Sequence, residues 1–271
     1  MSARWFVPGV LCADTITKLP PEAAGAVVVS GSHGGRYPGY LAAKAGVRAV
    51  ILNDAGIGLD EAGIGSLAYL DALGTAAATV SHLSCLIGDT DDMLARGRIS
   101  RANAAAAACG VVVGQGCAEA ASLLTHAGLS GEAAPSVGEA RGEVAVPGGI
   151  RRILLLDSAS LVRPDDAGQI VVTGSHGGLI GGDPANALRV DGFAAVFNDA
   201  GRGDGPGTSR LAVLEARGIS AVTVSASSAR IGEAASSFQD GVISAANPTA
   251  IAGGARVGEP VRHCLLAWAS R

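Results

Sequence analysis

Short apolar runs, each bounded by glycine or polar residues, recur along the first half of the chain. They cover residues 27–30, 47–52 and 76–80, and their length and apolar content are typical of buried strands in a parallel sheet. Residues 40–45 and 62–73 separate these runs, and Ile64, Leu67 and Leu70 recur at close to helical spacing. This alternation predicts right-handed crossovers and a mainly parallel sheet flanked by helices.

The same pattern returns in the second half of the chain. Strands are predicted at residues 170–173, 194–197 and 221–224, and a helix at residues 209–217. The polar segments after the strands also match: Gly-Ser-His-Gly-Gly, Asn-Asp-Ala-Gly, Thr-Val-Ser and the Ile-Ser at residues 99–100 each occur again, in the same order and at nearly constant spacing. The sequence therefore predicts an internal repeat, with two tandem pseudo-symmetric α/β halves that share an interface cleft. A solenoid would need three or more short repeats.

The predicted domains follow from this match. Residues 1–127 form the first α/β repeat, residues 150–271 the second, and residues 128–149 a Gly/Pro-rich linker without a counterpart. The apolar segment from Trp5 to Leu11 matches residues 153–157, so it is predicted to be the first strand and not part of a signal peptide. Alanine-rich residues 102–108 and 245–251 are predicted to be helical.

Composition narrows the class of protein. With 48% hydrophobic and 16% charged residues, a chain of 271 residues can bury a sizeable core. Its net charge of −4 and lack of a basic run argue against a nucleic-acid partner. No apolar stretch is long enough to cross a bilayer, so a soluble, cytoplasmic protein without a membrane partner is predicted, and a homo-oligomer stays open. Five cysteines without Cys-x-x-Cys spacing favour neither a disulfide framework nor a zinc site.

Every matching polar motif follows a predicted strand, where ligands bind in open α/β sheets. Histidine transfers protons near neutral pH, and a carboxylate can orient it or activate water. The candidate catalytic residues are His33, His176, Asp54, Asp199 and His82. Hydroxyl, amide, glycine N–H and guanidinium groups are candidates for substrate binding: Ser32, Ser175, Gly34, Gly35, Gly177, Gly178, Asn53, Asn198, Ser84, Ser228 and Arg230.

Each motif also has a structural interpretation. The histidine turns can be tight turns closed by a bond to the backbone, and the Asn-Asp pairs can be helix caps. Arg230 is either a clamp for a substrate carboxylate or the partner of Glu233 or Asp240. Cys85, which like His82 occurs only in the first half, is either a nucleophile or inert packing.

Three functions fit these residues. The leading hypothesis is a hydrolase of a small anionic substrate, an amide, a lactam or a related carboxylate, in which a histidine and an aspartate activate water. A cofactor-independent racemase or isomerase is the alternative, because pseudo-symmetry can place His33 and His176 on opposite faces of a substrate carbon. The third is a non-enzymatic anion- or nucleotide-binding protein.

Cofactor use is less constrained. The aspartates and histidines are compatible with a divalent metal ion, although their spacing matches no recognised ligand pattern. The chain has neither a Gly-x-Gly-x-x-Gly turn at the first crossover nor a Gly-Lys-Ser/Thr phosphate-binding motif. The sequence therefore shows no nucleotide motif.

Overall fold

The computed structural model describes residues 3–271, in which two six-stranded, mostly parallel sheets are each flanked by helices. Contacts divide the chain into two compact units. The first unit contains the residues up to Gly56, Glu61–Gly138 and Ile180–Gly182. The second contains Ile57–Asp60, Glu139–Leu179 and Asp183–Arg271. The predicted α/β fold class is confirmed, and no helix within residues 3–271 has the length and apolar character needed to cross a membrane.

The first unit is built on one sheet. Its strands are β1 (Arg4–Val7), β2 (Val10–Ala13), β3 (Val27–His33), β4 (Ala49–Asn53), β5 (Ala76–Val80) and β6 (Ile99–Ala102). Its helices are α1 (Arg36–Lys44), α2 (Gly65–Asp71), α3 (Thr90–Arg96), α4 (Ala104–Ala108) and α5 (Cys117–Leu124). The strands lie in sequence order; β2 to β5 are parallel, and β1 and β6 are antiparallel edges.

The second unit has a sheet of the same order. Its strands are β7 (Arg141–Val144), β8 (Ile153–Leu156), β9 (Ile170–His176), β10 (Ala194–Asn198), β11 (Ser220–Val224) and β12 (Ile243–Ala246). Its helices are α6 (Arg210–Ala216), α7 (Ala234–Gln239), α8 (Pro248–Ala252) and α9 (Val261–Ala269). Strands β8 to β11 are parallel, and β7 and β12 are antiparallel edges.

Both faces of each central sheet are buried, which explains the continuous apolar runs. In the first unit, Val28 of β3 belongs to the same core cluster as Leu70 of α2. Its neighbour Val29 belongs to a second cluster with Leu124 of α5. Successive residues of a strand point to opposite faces, so a strand covered by helices on both sides has to be apolar throughout.

The predicted first strand is in fact a hairpin. Strand β1 pairs with β2 in antiparallel orientation, and Pro8 and Gly9 form the turn between them. Gly9 has a φ of 85°, which a residue without a Cβ adopts at little cost. All four residues of β1 are exposed, so its apolar side chains belong to an edge and not to the core.

The predicted linker, residues 128–149, contains a strand. Residues 141–144 form β7, and the boundary between the units lies at Gly138 and Glu139. Arg141 holds this edge through two hydrogen bonds, of 2.7 and 3.0 Å, to the carboxylate of buried Asp166. A polar edge strand has no apolar alternation, because little of it is buried. Likewise, the predicted helix at residues 245–251 begins only at Pro248, after β12 has ended.

A buried arginine holds the connection between β9 and β10. Arg210 is 2% exposed, and its Nε donates to the carbonyl of Gly178 at 3.1 Å. Its Nη1 donates to the carbonyls of Asn186 and Ala187, at 2.6 and 2.7 Å. The guanidinium carbon lies 5.0 Å from the ring centroid of Phe197, and burial lowers the pKa of Arg210 to about 10. Among residues 3–271, no carboxylate forms an ion pair with it. Main-chain carbonyl oxygens, and not a carboxylate, therefore accept the hydrogen bonds of this buried guanidinium.

We expect Arg210→Met to destabilise the protein by about 2 kcal/mol or more, because buried carbonyls that lose their donors cost roughly 1–3 kcal/mol each. Urea unfolding measures this change. Arg262→Met, at an exposed position of α9, is the matched control and should change stability by less than about 0.5 kcal/mol. Equal unfolding midpoints for the two variants would contradict the role given to Arg210.

Candidate functional site

In the first unit, the candidate residues follow neighbouring parallel strands. His33 ends β3 and pairs in register with Asn53, the last residue of β4. Asn53 in turn pairs with Val80, the last residue of β5. Asp54 and His82 come just after these strands, so three strand ends bring the polar side chains to one edge of the sheet.

His82 and Asp54 form a hydrogen-bonded pair at this edge. Nδ1 of His82 lies 2.7 Å from Oδ1 of Asp54. The Asp54 side chain is 2% exposed and the His82 side chain 18% exposed. The same Oδ1 accepts hydrogen bonds from the backbone N–H groups of His82, at 2.9 Å, and of Gly56, at 3.1 Å. Since Nδ1 is bonded to the buried carboxylate, Nε2 is the ring nitrogen that can accept a proton.

Opposing effects act on the Asp54 carboxyl group. Burial by itself raises its pKa, but hydrogen bonds from the ring and the backbone N–H of His82 outweigh burial, and the pKa of Asp54 is lowered. Asp54 is therefore ionised at neutral pH, and its carboxylate is the hydrogen-bond partner of the His82 ring.

His33 has a different environment. The backbone N–H of Gly35 donates to Nδ1 of His33 at 3.2 Å, and burial lowers the pKa of His33 to about 4. At neutral pH this ring is therefore uncharged and carries its proton on Nε2, where it can act as a hydrogen-bond donor. The N–H of Gly34 donates to the carbonyl of Asn53 at 2.6 Å. The two glycine N–H groups predicted to bind substrate thus already have partners in the fold.

The remaining candidates of the first unit bind main-chain groups. Oγ of Ser32 accepts a hydrogen bond from the N–H of Ile16 at 3.0 Å. Oδ1 of Asn53 accepts one at 2.9 Å from the backbone N–H two residues further on. Oγ of Ser84 donates to the carbonyl of Ser81 at 2.7 Å. These bonds match the structural interpretation, and the substrate-binding roles stay predictions.

The second unit has the same strand edge but lacks the base. Asp199 is 4% exposed, and its Oδ1 accepts hydrogen bonds from the N–H groups of Gly201 and Ala226, both at 2.9 Å. Ala226 stands where the first unit has His82, so a methyl group replaces the imidazole. His176 is only 5% exposed.

The other candidates in the second unit also make structural contacts. Oγ of Ser175 accepts a hydrogen bond from a backbone N–H at 2.9 Å, and Oγ of Ser228 donates to a backbone carbonyl at the same distance. The side-chain amide of Asn198 forms two hydrogen bonds with the main chain: its oxygen accepts one at 2.9 Å, and its nitrogen donates one at 3.0 Å. The main-chain carbonyl of Asn198 accepts a hydrogen bond from the N–H of Gly177 at 2.7 Å. The carbonyl of Gly178 accepts from Arg210.

Arg230 already has acidic partners. Its Nε donates to Asp60 at 2.7 Å, and its Nη1 donates to Glu233 at 3.4 Å. Asp60 belongs to the segment Ile57–Asp60 of the second unit. Asp240, the other partner considered for Arg230, accepts a hydrogen bond from a serine hydroxyl instead. The carboxylate-clamp role of Arg230 stays a prediction, and a substrate carboxylate would compete with these two acids.

Cys85 is packed as a neutral thiol. Its residue is 3% exposed, and burial raises the pKa of Cys85 to about 12. The thiolate is the reactive form of cysteine, so Cys85 lacks the properties of a nucleophile. Within residues 3–271, no group of three or more His, Cys, Asp or Glu side chains is placed to hold a metal ion.

Arg210 is a prominent polar side chain that the sequence did not predict, because its partners are main-chain carbonyls distant along the chain. Comparison of the chain with family models, curated proteins and solved structures finds no match.

We expect the free energy of unfolding to decrease as pH falls from about 6.5 to about 4, because the fold buries His33 in its neutral form. In this range the unfolded chain protonates the histidine and the folded chain does not, so stability decreases with falling pH. One pKa unit corresponds to about 1.4 kcal/mol, which gives a loss of roughly 1–3 kcal/mol. His33→Asn should remove this loss in urea unfolding measured at several pH values. Exposed His126→Gln is the control, and the same pH dependence in both variants would contradict the buried neutral state of His33.

We expect Cys85 to resist alkylation by iodoacetamide at mildly alkaline pH, because its thiol is buried and stays protonated. The half-buried Cys109 provides an internal comparison and should be modified first. Peptide mass spectrometry over a time course distinguishes the two sites. Modification of Cys85 as fast as Cys109 would reopen its role as a nucleophile.

Proposed function

We propose that this protein is a hydrolase of small molecules in which His82, oriented by Asp54, acts as the general base on water. The observation that carries this proposal is the 2.7 Å hydrogen bond between Nδ1 of His82 and Oδ1 of Asp54. The carboxylate is buried, whereas the ring keeps 18% of its side-chain surface exposed. This combination supports an ionised orienting group and a base that small molecules can reach.

The proposed reaction uses the two nitrogens of His82 for different tasks. Nδ1–H donates to Asp54, and Nε2 removes a proton from water as the water oxygen attacks a substrate carbonyl carbon. Asp54 stabilises the resulting imidazolium, which then returns the proton to the leaving group. His33 follows the neighbouring strand, and its neutral Nε2–H is a suitable donor to the substrate carbonyl oxygen, where negative charge develops.

Water is favoured as the nucleophile because the side chains near the base are otherwise engaged. Cys85 is held as a thiol by burial, which raises its pKa to about 12. Ser84 donates its hydroxyl to a main-chain carbonyl. Among residues 3–271, no serine hydroxyl forms a hydrogen bond with the His82 ring. An amide, a lactam or a related carboxylate-bearing compound stays the proposed class of substrate.

The two alternatives have less support. Paired histidines of a racemase need access to a substrate, but His176 is 5% exposed and Ala226 replaces His82 in the second unit. An anion- or nucleotide-binding protein has no need for a histidine held by a buried carboxylate. The geometry therefore favours hydrolysis.

We expect His82→Gln to lower hydrolysis by about 100-fold or more, the usual contribution of a general base. Purified protein is assayed against a panel of small esters, lactones, amides and lactams, and each active substrate is repeated with the variants. Asp54→Asn should also reduce kcat, because the ring loses its ionised partner. His126→Gln and His263→Gln, both at exposed positions, are the matched controls.

Two outcomes would contradict the proposal. Wild-type protein that hydrolyses none of these classes would exclude a hydrolase acting on them. A kcat of His82→Gln equal to that of the two control variants would remove His82 from the reaction.

A further inference from the structure

The segment Ile57–Asp60, which belongs to the second unit, lies against the turn that follows β11. The N–H of Leu59 donates to the carbonyl of Ala226 at 2.8 Å. A Cβ placed on Gly58 would lie 2.9 Å from that carbonyl oxygen and 3.6 Å from Cβ of Ala226. Ala226 is only 3% exposed. We call this segment the strap, because its backbone covers Ala226.

The covered position is the one at which the first unit has its histidine. The N–H of Ala226 donates to Asp199 at 2.9 Å, and the N–H of His82 donates to Asp54 at the same distance. The two turns therefore hold their aspartates in the same way. Alanine has no atom beyond Cβ and Gly58 has no side chain, so the strap and the turn can approach each other closely.

The backbone of the strap is strained. Ile57 has a φ of 61° and Asp60 a φ of 53°. The left-handed region is unfavourable for residues with a Cβ, and a β-branched residue such as isoleucine is rarely found there. Residues keep such a conformation only where their surroundings impose it. The contacts of the strap therefore hold Ile57 and Asp60 against an unfavourable backbone conformation.

One of these contacts is an ion pair at the surface. Nε of Arg230 donates to Oδ2 of Asp60 at 2.7 Å, and the Asp60 side chain is 61% exposed. Exposed ion pairs stabilise a protein only weakly, and dissolved salt screens them. A strained segment is thus held in part by a weak, salt-sensitive contact.

We propose that the strap is a conformational device of the second unit, which closes the turn at Ala226 and opens when its ion pair with Arg230 is weakened. Opening breaks the hydrogen bond from Leu59, relaxes the backbone at Ile57 and uncovers Ala226. This device does not involve the ring of His82, so the inference is independent of the proposed hydrolysis.

Hydrogen exchange of the Leu59 amide, measured by NMR, reports opening, because this N–H is bonded to the turn when the strap is closed. Asp60→Asn should speed its exchange by about 2- to 5-fold, the range that corresponds to an exposed ion pair. Added sodium chloride should speed exchange in the wild-type protein and have less effect in this variant. Glu233→Gln is the matched control, because Glu233 is the other acid bonded to Arg230 and lies outside the strap. It should leave the exchange of Leu59 unchanged.

A second pair of variants tests the strain. Ile57→Gly and Ile57→Ala both remove the side chain beyond Cβ, but only glycine adopts the left-handed region at little cost. Exchange of the Leu59 amide should therefore be slower in Ile57→Gly than in Ile57→Ala, by about 2-fold or more. Exchange that is equal or faster in Ile57→Gly would overturn the proposal. Equal exchange in Asp60→Asn and Glu233→Gln would overturn it as well, because Arg230 would then not hold the strap.

Discussion

The first unit depends on one buried carboxylate oxygen. Oδ1 of Asp54 accepts three hydrogen bonds, from the N–H of Gly56, the N–H of His82 and the ring of His82. The bond from Gly56 closes the turn after β4, and the two bonds from His82 connect this turn to the turn after β5. A buried carboxylate is costly unless its oxygens are satisfied, so the turns and the charge stabilise each other. The backbone position of residue 82 follows from the need to satisfy that charge.

In the second unit, the matching aspartate has its structural role without a histidine beside it. Asp199 accepts the same two backbone hydrogen bonds, from Gly201 and Ala226, although no imidazole is present. An aspartate at this position therefore serves the fold whether or not a histidine follows. This explains why the matching Asn-Asp motif alone could not indicate chemistry. The substitution of Ala226 for His82 is the informative difference, because only the first unit adds a titratable ring to the satisfied carboxylate.

Local pattern predicted the central strands and the edge that carries the polar side chains, since buried parallel strands are apolar throughout. It missed the turn at Gly9 and strand β7, because edge residues bury little surface and follow no alternation. Local pattern also could not predict which groups the candidate residues contact, for another reason. The contact between Arg210 and Gly178 joins residues 32 positions apart, and the contact between His82 and Asp54 joins residues 28 positions apart. Neither leaves a periodic signal.

The two histidines at this edge of the first sheet have different surroundings. Burial keeps His33 neutral, with its Nδ1 occupied by the backbone of Gly35. The ring of His82 is instead hydrogen-bonded to the carboxylate of Asp54. In the proposed reaction, the ring of His33 donates a hydrogen bond without gaining charge, and the ring of His82 takes up a proton. Such a division of roles needs only one complete pair, which is consistent with a second unit that has kept the turn and lacks the ring.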